Sequence, residues 1–305
     1  MDETRMAKKH FSKIGGIYFL GSILTFLVQF VVMQIAAVLF PEKLSDMNVA
    51  LVISSVAINF IALPLIVGMV WRVPAVTLPQ HKLGAGKWFV AFLMSYVLMY
   101  LTNLLGLFMT GVLGVIKGTP VVNPLEQVVS GLSPVTAFVL MVMLAPVVEE
   151  VVFRKVLIDR IAVYGEGIAI LISGLMFGMF HGNLNQFAYA FGLGVFFGFI
   201  YVKTGRLRYT ILLHAAINFM GSIPGIIMLK WMESDMRPFF FYSAFILMLV
   251  IAGIICWALH IKKIRLEAGQ KEIPKGQRFR TTICNLGMIC YLLFWLWQMA
   301  RQILE

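Results

Sequence analysis

Charged side chains are scarce in this sequence. Asp, Glu, Lys and Arg make up 13% of its 305 residues and 60% are hydrophobic, whereas a soluble domain averages about 25% charged residues. That shortage excludes a sizeable soluble domain and points to an integral membrane chain with many spans. No segment alternates apolar and polar residues at a period of two, which argues against a transmembrane barrel. Cysteine is nearly lacking. Cys256, Cys284 and Cys290 lie in apolar stretches, without CxxC spacing or a disulfide framework, and read as small packing residues. Two catalytic signatures are missing as well: there is no Gly-x-Ser-x-Gly nucleophile elbow and no HExxH zinc motif.

Long apolar runs are what the chain does have. They fall near 14–40, 49–70, 88–116, 134–164, 166–182, 186–203, 207–230, 238–260 and 281–300, against the roughly 20 residues that a helix needs to cross a bilayer. The expected fold is all-α: a polytopic membrane bundle of about 8–9 transmembrane helices, with residues 1–305 as one integral membrane domain. The fourth run exceeds what a bilayer needs. The fifth and sixth are short and separated only by "GNLNQ", and the last could instead lie at the interface on its Trp residues. The leading "MDETRMAKKHFSK" runs into the first apolar segment without a small-residue cleavage pattern, so that segment is expected to stay as an anchor.

The net charge of +11 does not imply nucleic acid, because the basic residues sit in alternate loops rather than on one folded face. Arg5, Lys8, Lys9 and Lys13 precede the first run. Arg72, Lys82 and Lys87, then Arg154, Lys155 and Arg160, then Lys203, Arg206 and Arg208, then Lys262 to Arg280 follow every second run. By the positive-inside rule the N-terminus is cytoplasmic and the chain a multi-pass protein of the cell membrane, a bacterial plasma membrane by preference. Residues 261–280 then form a basic cytoplasmic linker, where contact with lipid headgroups is one reading. Gly174/Gly178, Gly194/Gly198 and Gly221/Gly225 are each four apart, a spacing that lets helix backbones approach closely. They predict a tight cluster from about 166 to 230.

Against this background "APVVEEVVFR" (145–154) stands out. A charge at mid-bilayer costs at least ~2.5–3.5 kcal/mol on insertion scales, yet Glu149, Glu150 and Arg154 lie together here. Glu150 and Arg154 are i,i+4 and suited to an ion pair. Glu149, about 100° round the helix, is left without an obvious cation and is the candidate active carboxylate. Pro146 removes a backbone hydrogen bond and can kink the helix. About the turn "YGEG" at 164–167, Glu150 lies 15 residues before Gly165 and His181 16 after it, which puts them at one depth. His214 and Asn218 are i,i+4 on a later run. With no candidate nucleophile, the set suits attack by water. A carboxylate with His181 can deprotonate it, and a second His and an Asn can stabilise an oxyanion. The expected reaction is hydrolysis of an acyl bond, an amide first of all. Residues 134–231 are the catalytic core on this reading.

"EEVVFR" (Glu149, Glu150, Arg154), "FGMFH" (Phe177, His181) and "HAAIN" (His214, Asn218) match in order and spacing the motifs EExxxR, FxxxH and HxxxN. In these motifs residues 134–225 resemble the CAAX prenyl protease type II and bacteriocin-processing family, also called CPBP or Abi intramembrane proteases. The resemblance implies an all-helical membrane fold with its active site inside the bilayer. It implies that Glu149 and His181 activate the water, that His214 and Asn218 form the oxyanion hole, and that Glu150, Arg154 and Phe177 support them. Asn185 makes a second His-xxx-Asn with His181, a candidate substrate contact. The resemblance implies no cofactor and a peptide or lipidated-protein substrate, with prenylated proteins the eukaryotic answer and peptide maturation, self-immunity and peptide signalling the bacterial ones. Three other readings stay open at this point. One is a zinc peptidase with His181, His214 and a Glu as ligands. Another is a transporter with a buried Glu/His relay, and the third a non-catalytic immunity or scaffold protein. Nothing in the residues speaks to oligomeric state.

Overall fold

The computed structural model describes residues 3–232 and 236–304; the domain bounds 1–305 also take in residues 1, 2, 233–235 and 305, which lie outside the described residues. The described residues form no strand. Nine long helices carry the fold: α1 Glu3–Leu39, α2 Met47–Trp71, α3 Ala85–Lys117, α4 Pro134–Tyr164, α5 Glu166–Phe180, α6 Leu184–Thr204, α7 Leu207–Met232, α8 Arg237–His260 and α9 Leu286–Leu304. Seven of them are long and apolar enough to cross a membrane singly. An eighth crossing arises if α9 is joined to Lys275–Thr282, which meets it at 64°. The chain is a multi-pass helical membrane bundle.

α5 corrects one expectation. The run at 166–182 yields a helix of 15 residues, ~22 Å at 1.5 Å per residue, short of the ~30 Å hydrocarbon core. It ends because Gly182 takes a left-handed φ of +64°, which a side chain resists. Asn183 then caps α6, its side chain accepting from Gln186 N. α9, by contrast, runs the length of the bundle. It begins where Gly287 N donates to Ser12 Oγ of α1, and near its end Lys117 Nζ of α3 donates to the Ile303 carbonyl. Packing along α1 buries Met288, Tyr291 and Trp295, so α9 does not lie across the end of the bundle.

Small residues set the α5–α6 contact. A Cβ added at Gly174 would come within 2.9 Å of Val195 N, and one at Gly178 within 3.0 Å of Phe191 N. A Cβ added at Gly194 would come within 3.0 Å of the Gly174 Cα. The third small pair behaves otherwise, because Gly221 meets only Met99 Sδ at 3.7 Å and Gly225 meets nothing within 4 Å. The tight cluster therefore centres on α5 and α6 and does not extend through the glycines of α7.

α4 holds two π-wound stretches, Phe138–Leu144 and Val151–Ile158, with the α-helical Ala145–Glu150 between them. Such windings leave carbonyls off the usual ladder and recur at functional sites. Their cause can be traced. In the first stretch Ala145 N–H donates to the Leu140 carbonyl, five residues back. The next donor in that register would be residue 146, a proline with no N–H, which orphans the Met141 carbonyl. Asn218 of α7 supplies the missing donor at 2.8 Å. In the second stretch Tyr18 of α1 donates to the Val152 carbonyl at 2.7 Å and Ser173 of α5 to the Phe153 carbonyl at 2.7 Å. Three neighbouring helices thus satisfy α4 where its own ladder lapses.

The basic loops gather at one end. His10 Nε2 donates to the Arg160 carbonyl, and His81 N to the Thr204 carbonyl. Lys203 pairs with Glu166 at 2.6 Å. The linker docks on the α4–α5 turn, with Lys271 N donating to Val163 O and Glu166 N to Glu267 O. Gly165, at φ +107°, lies so close to Gly269 that a Cβ there would come within 3.1 Å of its nitrogen.

Candidate active site

Glu150 and Arg154, one turn apart on α4, are both wholly buried, with Arg154 Nε 3.1 Å from Glu150 Oε2. The remaining guanidinium nitrogens have no hydrogen-bond partner among the described residues. The cation instead lies over the Phe177 ring at 4.4 Å and the Phe197 ring at 5.8 Å, where the ring quadrupoles attract it. Glu150 Oε1 accepts from His214 Nδ1 at 3.0 Å. The other nitrogen of that imidazole, Nε2, is 3.7 Å from Glu149 Oε2, so His214 stands between the two adjacent carboxylates.

Glu149 points elsewhere, as neighbours 100° apart on a helix must, and keeps a fifth of its side chain exposed. It lines a cavity of about 440 Å³ together with Phe177, His181, His214 and Asn218. α4 supplies the glutamate, α5 the Phe and first His, α7 the second His and the Asn. His181 Nδ1 donates to the Phe177 carbonyl at 2.9 Å, which leaves Nε2 as the acceptor in the neutral ring. The Phe177 ring meets both imidazoles edge-on, at 4.9 Å and 5.8 Å.

Asn185 is not brought to this cavity. It is buried on the far side of the α5–α6 turn and donates to Thr110 Oγ1 of α3 at 3.3 Å. Its neighbour Gln186 faces the cavity, as does Tyr189 one turn on, and Gln186 Nε2 donates to the Tyr189 hydroxyl at 2.7 Å. Asn59 of α2 and Asn103 of α3 line the opposite wall. Neither belongs to the three motifs, yet a lone amide inside an apolar run is itself the signal that finds them. Leu125 and Val128, on a short helix Pro124–Gly131, roof the cavity at the end away from the basic loops. Among the described residues no group of three or more His, Cys, Asp or Glu is arranged to hold a metal ion.

Comparison with known proteins bears on this same stretch. The family model described as type II CAAX prenyl endopeptidase Rce1-like matches residues 131–220, which hold all three motifs. Residues 131–220 are thus similar to the Rce1-like family. A curated relative, the membrane-embedded CAAX protease MroQ of Staphylococcus aureus (strain USA300), is 35% identical over 82 residues, 25% of this chain and 33% of the relative. The chain thus spans about a third of the length of that relative. No solved structure matches the chain. The Rce1-like segment contains α4 to most of α7, the helices that bring the four site residues together.

Proposed function

We propose that this chain is an intramembrane endopeptidase of the cell membrane that hydrolyses a peptide bond in a membrane-associated peptide or lipidated-protein substrate. The observation that carries the reading is the convergence of Glu149, His181, His214 and Asn218 from three helices on one cavity, beside a buried Glu150–Arg154 pair. The family of the Rce1-like segment supports the same class of reaction.

In this mechanism a water lies between the Glu149 carboxylate and His181 Nε2. Its oxygen attacks the scissile carbonyl carbon as its proton passes to Glu149. The carbonyl oxygen gains charge, which the second amide N–H of Asn218 and Nε2 of His214 stabilise. With Nδ1–H turned to Glu150, Nε2 donates to the oxyanion in the doubly protonated ring. The proton held by Glu149 then moves to the departing amine as the C–N bond breaks. A general base is worth about 10²–10⁴-fold and each oxyanion donor about 2.7–4 kcal/mol.

The test is comparative peptidomics of membranes and medium from cells carrying the wild-type chain and Glu149→Gln. Fragments present with wild type and lost in the variant, at matched expression, are expected. Equal fragment levels would sink the assignment. A purified wild-type chain that loses activity to a chelator and carries a stoichiometric metal would replace it by metal-assisted hydrolysis.

A further inference from the structure

α5 has two working faces. Phe177 and His181 face the catalytic cavity. On its other side Gly167, Ile168, Leu171, Ile172 and Leu175 form the floor of a second cavity, of about 650 Å³. Leu266 and Ile273 of the linker make one wall, Phe279 and Ile283 the other. The wall is a built one. Glu267 N donates to Glu166 Oε2 at 2.8 Å and Lys271 N to Val163 O at 2.9 Å, so the linker is held on the α4–α5 turn. Leu171, Leu266 and Phe279 are 56%, 50% and 69% exposed, so the groove opens sideways.

Two measures point to what fits it. From Gly167 to Leu175 the floor runs nine residues, ~12 Å of helix from first to last, near the ~15 Å depth of one leaflet's hydrocarbon. Charge sits at one end alone. Lys271 and Arg278 stand at the rim with Glu267 and Glu272, and Glu267 is drawn to Lys203 at 3.5 Å. Over 261–280 the basic residues are Lys262, Lys263, Arg265, Lys271, Lys275, Arg278 and Arg280, seven against the two glutamates. An apolar trough one leaflet deep with cations at its mouth suits an amphiphile with an anionic head.

We propose that this groove binds an anionic phospholipid of the leaflet at the basic end, one acyl chain along α5 and the phosphate between Lys271 and Arg278. The site is separate from the hydrolytic one and does not depend on that reading. An anionic surface adds a favourable increment for each Lys or Arg near it, and the two rim cations, partly offset by Glu272, should together favour an anionic over a zwitterionic lipid by about tenfold.

The experiment is native mass spectrometry of the full chain in detergent, titrated with phosphatidylglycerol or phosphatidylcholine of identical chains. One phosphatidylglycerol should be retained at about tenfold lower concentration than phosphatidylcholine. Lys271→Glu/Arg278→Glu should abolish the preference, while Lys262→Glu/Lys263→Glu, equal in charge but off the groove, should keep it. Leu175→Trp should lose both lipids by filling the floor. If the charge-reversed pair fails to fold, Lys271→Gln/Arg278→Gln takes its place. Equal retention of the two lipids overturns the proposal, as does equal loss in both charge variants. Displacement by glycerol 1-phosphate at the lipid's own concentration would mark a free phosphate site and overturn it too.

Discussion

At the residue scale the Arg154 guanidinium is closely held. It is wholly buried, with one carboxylate and two aromatic faces for partners. Removing one member of a buried ion pair costs about 3–5 kcal/mol, because the other charge stays behind. Arg154→Ala would leave the buried Glu150 without its guanidinium partner, so folded yield and unfolding temperature in detergent should drop. Glu150→Gln/Arg154→Gln, which removes both charges, should recover part of the loss. An Arg154→Ala protein as stable as wild type but inactive would give the arginine a direct part in the chemistry. The donors around the cavity carry a second prediction. Asn218 spends one amide hydrogen on the Met141 carbonyl and keeps one, and Tyr189 accepts from Gln186, which leaves its own O–H to donate. Donors that act on developing charge appear in kcat rather than KM. With a peptide spanning a cleavage site found by peptidomics, Asn218→Ala should lower kcat about 10²–10³-fold at nearly constant KM. Tyr189→Phe should lower kcat in the same sense. A raised KM with kcat intact would make either residue a binding contact.

At the scale of the elements, α4 shows what a sequence reveals and what it hides. The i,i+4 spacing of Glu150 with Arg154 and of His214 with Asn218 is plain in the letters, and counting from Gly165 brings Glu150 level with His181. Those local rules suffice because residues four apart on a helix stay neighbours over a single turn. The two π-wound stretches were not legible. The first depends on a missing N–H at Pro146 and a donor 77 residues away at Asn218. The second depends on hydroxyls from α1 and α5. Asn185 illustrates the same limit, since its spacing from His181 suggests a shared face but Gly182 breaks the helix between them. The glycine pairs divide likewise, identical in sequence and different in surroundings. Gly174→Val should force α5 off α6, because a Cβ there meets the Val195 backbone, and should lower the unfolding temperature sharply. Gly225→Ala meets nothing and should be neutral or stabilising by up to about 1 kcal/mol, since Gly in a helix interior costs that much relative to Ala. Thermal unfolding of the two variants side by side checks this, and equal losses would refute the assignment of the tight contact to α5 and α6.

For the whole molecule the question is which end faces the cytoplasm. The structure collects the N-terminal helix start, the loop before α3, the α4–α5 and α6–α7 turns and the linker at one end, tied by His10, His81, Lys203 and Glu166. The loop at 40–46 and the short helix Pro124–Gly131 lie at the other, where Ser133 N donates to Asn48 Oδ1. Lys and Arg in short loops stay on the cytoplasmic side, so the basic end should be inside. That orientation has a consequence for the proposed chemistry: the cavity roof at Leu125 and Val128 would face away from the cytoplasm, and substrate would approach from that side or from within the bilayer. Single cysteines read it directly. In a chain whose Cys256, Cys284 and Cys290 are replaced by Ala, Glu42→Cys should react with a membrane-impermeant maleimide on intact cells. Gln270→Cys, on the linker, should react only after permeabilisation. Both positions are exposed, so a failure to label cannot be blamed on burial. The reverse pattern would invert the molecule, bringing the cavity roof to the cytoplasmic side and placing the groove along α5 in the outer leaflet.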